Sequence, residues 1–226
     1  MVPNFRSKKD VVYDLLKDNI IKGQYHPGSR LVIDELASML GVSQIPIREA
    51  MRELEADGFV HIEPYVGATI ADIDADLIFE VFALLEALEI ISSRNAVVCM
   101  SDDQLNELAE LINQMDAFVD DPDEWSQANK NLHLFICQCA QSQIVLKIIR
   151  NVLDHWDRLR LHYLNDVFGH RIKIAQQEHK QILEAFFSRD PDDVERKIRE
   201  HNRSALTSYI QHLQDAGQIS ADRAAC

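Results

Sequence analysis

Three histidines, His133, His179 and His201, stand within stretches of helical apolar spacing in the C-terminal two-thirds of the chain. Around His133 lie Leu132, Leu134, Phe135 and Ile136, and Asn129 falls four residues earlier, on the same face of a helix. His179 precedes the turn Gln181-Ile182-Leu183, and His201 lies midway along the last helical stretch. Imidazoles projecting inward from three helices, with a side-chain oxygen beside them, have the number and softness to hold a divalent ion such as Zn²⁺ or Ni²⁺. With a position left open, the same set suits a metallohydrolase or an oxygenase. Each ring is also compatible with an ordinary packed or surface histidine, because spacing alone does not bring the three together. No carboxylate is clearly placed as a general base, and neither a nucleophile elbow nor a phosphate loop occurs, so no catalytic residue is assigned.

A second group of reactive side chains lies near the N-terminus. Arg48 and Arg52 are four residues apart and share one helix face, while Ile47, Ala50, Met51 and Leu54 fall on the other. A guanidinium fork engages guanine O6 and N7, or a phosphate, through two parallel hydrogen bonds. The alternative is a solvated helix on which these arginines pair with Glu49, Glu53 or Glu55.

The glycines and prolines indicate which elements must position these groups. Gly23, Pro27, Gly28, Gly41, Gly58, Pro64 and Gly67 crowd the first third, and the only later glycines are Gly169 and Gly217. A turn-rich N-terminal unit, 1–72, is therefore expected before a nearly all-helical unit, 73–226, with the boundary between Ala71 and Asp74. In the first unit Ser7 caps a helix that ends near Gly23. A short helix over 33–40 stops at Gly41, and a third runs over 44–57 with Pro46 in its first turn, where a missing N–H costs little. The runs 59–63 and 68–70, joined by Pro64-Tyr65-Val66-Gly67, read as a hairpin. Two helices about a tight Gly turn, followed by a hairpin, make the winged helix-turn-helix pattern, in which the second helix of the pair enters the major groove. In the second unit helices are expected over 74–99, from the capping box Ser101-Asp102-Asp103-Gln104, and over 122–139, 142–165, 169–189 and 191–213. Six helices imply an antiparallel bundle.

Composition sets the surroundings. The chain of 226 residues has a net charge of −14, of which −3 falls in residues 1–72 and −11 in the remainder. An acidic chain that binds DNA must concentrate its positive charge, and two identical units help, which leads to the expectation of a homodimer on a two-fold site. No apolar run reaches the roughly 18 residues of a membrane span, and the opening MVPNFRSKKD lacks a signal-peptide core. Cys99, Cys137, Cys139 and Cys226 form no CxxC pair and suit a reducing compartment, so the cytoplasm is expected and no membrane partner. Cys137-x-Cys139 reads as helix filler rather than a metal clip.

The stretch "ELASMLGVSQIPIREAMRELEADGFVHIEPYVGATI" resembles the DNA-binding domain of the GntR family of bacterial transcription regulators, its FadR subfamily in particular, through the pattern GVS..P.REA...L...G. The resemblance implies that Ser43, Gln44, Ile45, Arg48 and Arg52 face a double-stranded DNA operator and that Gly67 shapes the wing tip. Gln44-Ile45 stands where the family commonly has Arg-Thr, and Tyr65-Val66 where it has a basic residue beside the wing glycine. The helical unit is similar to the FCD effector-binding domain of that subfamily, whose metal-binding members carry Asp-x-x-x-His, a His after Glu, and a last His about 22 residues on. Here Asn129-Lys-Asn-Leu-His133, Glu178-His179 and His201 match, with 22 residues from His179 to His201 and a neutral amide in place of the carboxylate. In "VFALLE" Phe82 stands where many such domains place an effector-binding arginine, which leaves Arg158 and Arg160 as candidate anion partners. The resemblance implies an operator-binding regulator, not an enzyme, whose small-acid effector weakens DNA binding by preferring the DNA-free arrangement. A metalloenzyme and a plain protein-interaction bundle are the readings it competes with.

Overall fold

The computed structural model describes residues 6–63 and 67–217. The chain divides into two compact units, Met1–Asp74 and Ala75–Cys226.

In the first unit, α1 (Lys8–Ile21) opens on a reciprocal capping box: the Asp10 amide donates to Ser7 Oγ at 3.1 Å and the Ser7 amide to Asp10 Oδ2 at 3.0 Å. A two-residue strand, β1 (Arg30–Leu31), precedes α2 (Ile33–Leu40), which ends at Gly41 with φ +63, a left-handed cap that glycine adopts without strain. Next come α3 (Gln44–Ala56), β2 (Val60–Glu63) and β3 (Gly67–Ile70). The strands form an antiparallel sheet of order β1-β3-β2, with Thr69 facing Arg30 on one side and His61 on the other. β1 is a strand the sequence did not announce, since two residues carry no alternation. Val12, Leu16, Ile20, Leu36, Phe59 and the inner face of α3 (Ile47, Ala50, Met51, Leu54) make the core. Burying that face turns the opposite side of α3 outward. Pro64, Tyr65 and Val66 at the wing turn lie outside the described residues.

The second unit contains α4 (Ala75–Cys99), α5 (Asp102–Gln114), α6 (Pro122–Cys139), α7 (Gln143–Leu159), α8 (Asn165–Ser188) and α9 (Pro191–Asp215). Ser101 and Gln104 exchange hydrogen bonds as the capping box implies, and Asp121 and Asp190 accept from the first turns of α6 and α9, each helix having proline as its first residue. One boundary differs from the expectation. The helix expected over 142–165 ends at Leu159, a π-helical segment (Arg160–Leu164) follows, and α8 begins at Asn165 and runs straight through Gly169. A Cβ at Gly169 would meet nothing within 4 Å, so this glycine is an interior helix residue and not a break. In the bundle α4 packs against α9, α7 and α6, and α8 packs against α9 and α5.

Candidate functional site

Ser43, Gln44, Ile45, Arg48 and Arg52 are all exposed on the outer face of α3 and its cap, and Ile45 has 68% of its surface free. Gln44 Nε2 donates to Asp34 of α2, and Gln44 Oε1 accepts from Arg48 Nη2 at 3.2 Å, so a short chain of hydrogen bonds fixes the start of α3. Neither Arg48 nor Arg52 forms an ion pair among the described residues, contrary to the solvated-helix alternative. Gly67 has φ +122, and a Cβ there would lie 3.0 Å from Arg30 Nη2. The guanidinium of Arg30 therefore lies against the wing glycine. It comes from β1, whose pairing with β3 only the fold reveals.

In the second unit five helices line a common cavity, α7 through Leu153 and Trp156 and the other four through stripes at spacings of three and four. From α4 come Phe82, Leu85 and Glu89; from α6 Trp125, Asn129 and His133; from α8 Phe168, Arg171, Ile172 and Ala175; from α9 His201, Asn202, Ala205 and Tyr209. The cavity volume is about 50 Å³.

The three histidines converge beside this cavity, which His133 and His201 line, and one ring nitrogen from each lies within 4.8 Å of the others. Their surroundings are those of held ligands. His133 Nδ1 lies 3.1 Å from Glu89 Oε1, and His201 Nδ1 lies 2.7 Å from Glu178 Oε2, which leaves each Nε2 for the centre. His179 stacks on Trp125 with ring centroids 5.6 Å apart and planes 7° from parallel. Trp125 is itself fixed by Gln176, and Gln176 donates to the Ile112 carbonyl at 2.7 Å. Both nitrogens of His179 are buried without a hydrogen-bond partner, as is Asn129 Oδ1. Buried polar atoms are almost always satisfied, so orphans gathered at one place are a fit for an absent ligand. The donor set, three imidazoles and an amide oxygen, suits a borderline divalent ion.

Burial, more than the neighbouring rings, holds the His179 pKa well below the ordinary range, and burial likewise lowers His133 against the opposing pull of Glu89. Both rings are therefore neutral when native. Below about pH 6.5 the unfolded chain protonates histidines that the native chain does not. Stability of the metal-free unit must then fall with falling pH, by up to about 1.4 kcal/mol per pH unit for each such ring. Urea unfolding in EDTA should give a lower midpoint at pH 5.5 than at pH 7.5, and an equal or higher midpoint at pH 5.5 would mean the rings are charged in the native state.

Of the residues expected to meet an effector, Phe82 is on the cavity wall, and Arg158 and Arg160 are not. Both arginines are buried, and Arg160 is turned away onto Asp123 at 3.0 Å and over the Phe168 ring at 5.1 Å. The guanidinium on the wall is Arg171, 3% exposed, which donates to Glu178 and, at 3.2 Å, to Ser204 Oγ. Its Nε and Nη1 have no hydrogen-bond partner. Arg171 and Glu89 were missed by the sequence reading. Their spacing to His179 and Phe82 along α8 and α4 was the available signal, but charged residues at those intervals equally describe a solvated face.

The two units match known proteins separately and together. Residues 8–70 match the family described as bacterial regulatory proteins, gntR family, and residues 80–204 match the FCD domain. Among curated proteins the chain is 25% identical over 206 residues to the HTH-type transcriptional repressor RspR of Escherichia coli (strain K12), covering 90% of each. It is 24% identical over 211 residues to the uncharacterized HTH-type transcriptional regulator YdhC of Bacillus subtilis (strain 168), covering 91% of this chain and 92% of that one. Among solved structures it resembles E. coli McbR/YncC with TM-score 0.73 and 22% identity, covering 92% of this chain and 99% of that one. A putative transcriptional regulator GntR from Rhodococcus sp. RHA1 gives TM-score 0.72 at 22% identity, over 91% and 99% of the two chains. An exposed α3 beside a sheet wing, a six-helix unit around a polar-ended cavity and these two matches in tandem make the chain a member of the gntR family of bacterial transcription regulators, with an FCD domain as its second unit.

Proposed function

We propose that the protein acts in the cytoplasm as a homodimer, binds a two-fold operator through α3 and the wing, and is released from it by a small organic acid held in the cavity of the second unit. The observation that carries this reading is the cluster of His133, His179 and His201 around unsatisfied buried atoms beside the cavity. His133, His179 and His201 would hold a divalent ion such as Zn²⁺ or Ni²⁺ with Asn129 beside them, and the ion would supply positive charge to draw a carboxylate. On DNA, Ser43, Gln44, Ile45 and Arg48 are assigned to base edges, and Arg52, Arg30 and Gly67 to the backbone, where phosphate contacts give affinity without sequence preference. Binding without turnover is the expected behaviour. The carboxylates nearest the imidazoles are already engaged, Glu89 by His133 and Asn202 and Glu178 by His201 and Arg171.

Self-association is supported by apolar surface that water would otherwise cover. Leu84, Ile91 and Val98, 40%, 48% and 68% exposed, recur every seven residues along α4, and Ile144 and Ile148 are exposed on α7, which packs beside α4. No helix among the described residues is long and apolar enough to cross a membrane. Fluorescence anisotropy with a duplex from upstream of the chain's own gene tests the reading. Two chains should bind per duplex, with an excess of at least about 1,000-fold over random sequence and a steep loss with salt. One chain per duplex, or no preference over random DNA, would overturn it.

A further inference from the structure

We infer that the cavity is built for an acid with a single carboxylate and an aromatic body. This rests on the effector and metal reading above and specifies the ligand. Charge sets the first half. Among the described residues Arg171 is the one cation on the wall, and the carboxylates in contact with the site are Glu89, on the wall, and Glu178, against Arg171. One carboxylate meets that guanidinium, whereas a second would find no further cationic side chain on the wall among the described residues. The unpartnered Nε and Nη1 of buried Arg171 supply donors for that single carboxylate.

The wall sets the second half. Phe82, Trp156 and Tyr209 form a continuous aromatic surface, with Phe82 5.3 Å from Trp156 edge-on and Tyr209 5.2 Å from Trp156 between ring centroids. Phe168 extends it, 6.2 Å from Trp156 and 5.9 Å from Trp125. Leu85, Leu153, Ile172, Ala175 and Ala205 fill the gaps. Such a surface rewards a flat apolar body by offset and edge-to-face contact and offers a chain of hydroxyls few partners. The Tyr209 hydroxyl is the exception: it has no hydrogen-bond partner among the described residues and lies on the wall, where it can meet one polar substituent on the ring.

The chain's two tryptophans, Trp125 and Trp156, both line the cavity, so their fluorescence reports occupancy. Full-length protein loaded with Zn²⁺ should be titrated with benzoate, phenylacetate, acetate, succinate and glutarate. An aromatic acid binding at least ten-fold tighter than acetate and than both dicarboxylates is the result expected. Phe82→Ala should remove most of that preference, and Phe82→Arg should move it toward succinate. The wild-type panel decides even where a variant fails to fold. Tighter binding of succinate or glutarate, or equal binding of acetate and the aromatic acids, overturns the inference and leaves acid control of DNA binding standing. Binding of none of these acids by protein that holds Zn²⁺ and its operator overturns both.

Discussion

His179→Ala loses the divalent ion and the response to acid together, and keeps its operator. His179 is the ring with no protein partner on either nitrogen, held flat against Trp125, so its removal takes a ligand and leaves no structural hydrogen bond broken. Loss of a carboxylate that merely orients a ligand typically costs roughly 10–100-fold in metal affinity, so loss of the ligand itself should exceed about 100-fold. Operator affinity without effector should stay within two-fold of wild type, because the DNA-facing residues belong to the other compact unit. Asn129→Asp runs the opposite way: a charged oxygen beside three neutral rings should tighten the ion and, by spending part of its charge, loosen the acid. Elemental analysis of untagged protein after metal loading and desalting decides it. Equal metal in wild type and His179→Ala would remove the histidines as a site.

Arg48→Ala costs the operator complex about 1–3 kcal/mol, roughly ten- to a hundred-fold in affinity, without loss of fold. Arg48 is exposed and its one recorded partner is Gln44 on the preceding turn, so the isolated unit has little to lose. Arg52, on the same face one turn on, should act on phosphate, and Arg52→Ala should weaken operator and random duplex alike. Anisotropy titrations at one fixed salt concentration separate the two. An Arg48→Ala protein with wild-type affinity and an unchanged melting curve would take α3 out of the groove.

Much of this was legible because local chemistry and fold agree. Ser7, Ser101, Asp121 and Asp190 begin helices where side-chain oxygens meet free amides, and Gly41 ends one in the left-handed region. The three histidines were legible as candidates but not as a cluster: His133, His179 and His201 belong to three helices, and only the packing of α6, α8 and α9 brings their nitrogens within 4.8 Å. Gly169 misled, since an interior helix glycine with open space around it looks in sequence like a break. Arg158 and Arg160, expected at the cavity, lie off its wall, and Arg171 of α8, beyond the π-helical segment, stands on it. Arg30 was hidden for a similar reason, being placed at Gly67 by a strand of two residues.

If the cavity beside the three histidines governs DNA affinity, linkage makes that control measurable in one experiment. Zn²⁺-loaded full-length protein is titrated onto its operator in the absence and presence of saturating acetate, benzoate or succinate. At least one acid should raise the midpoint by about 5–150-fold, the usual span of coupling between two sites, and the same acid should leave the His179→Ala midpoint where it was. Midpoints that no acid moves by more than two-fold, or that move equally in the variant, would contradict control through this site.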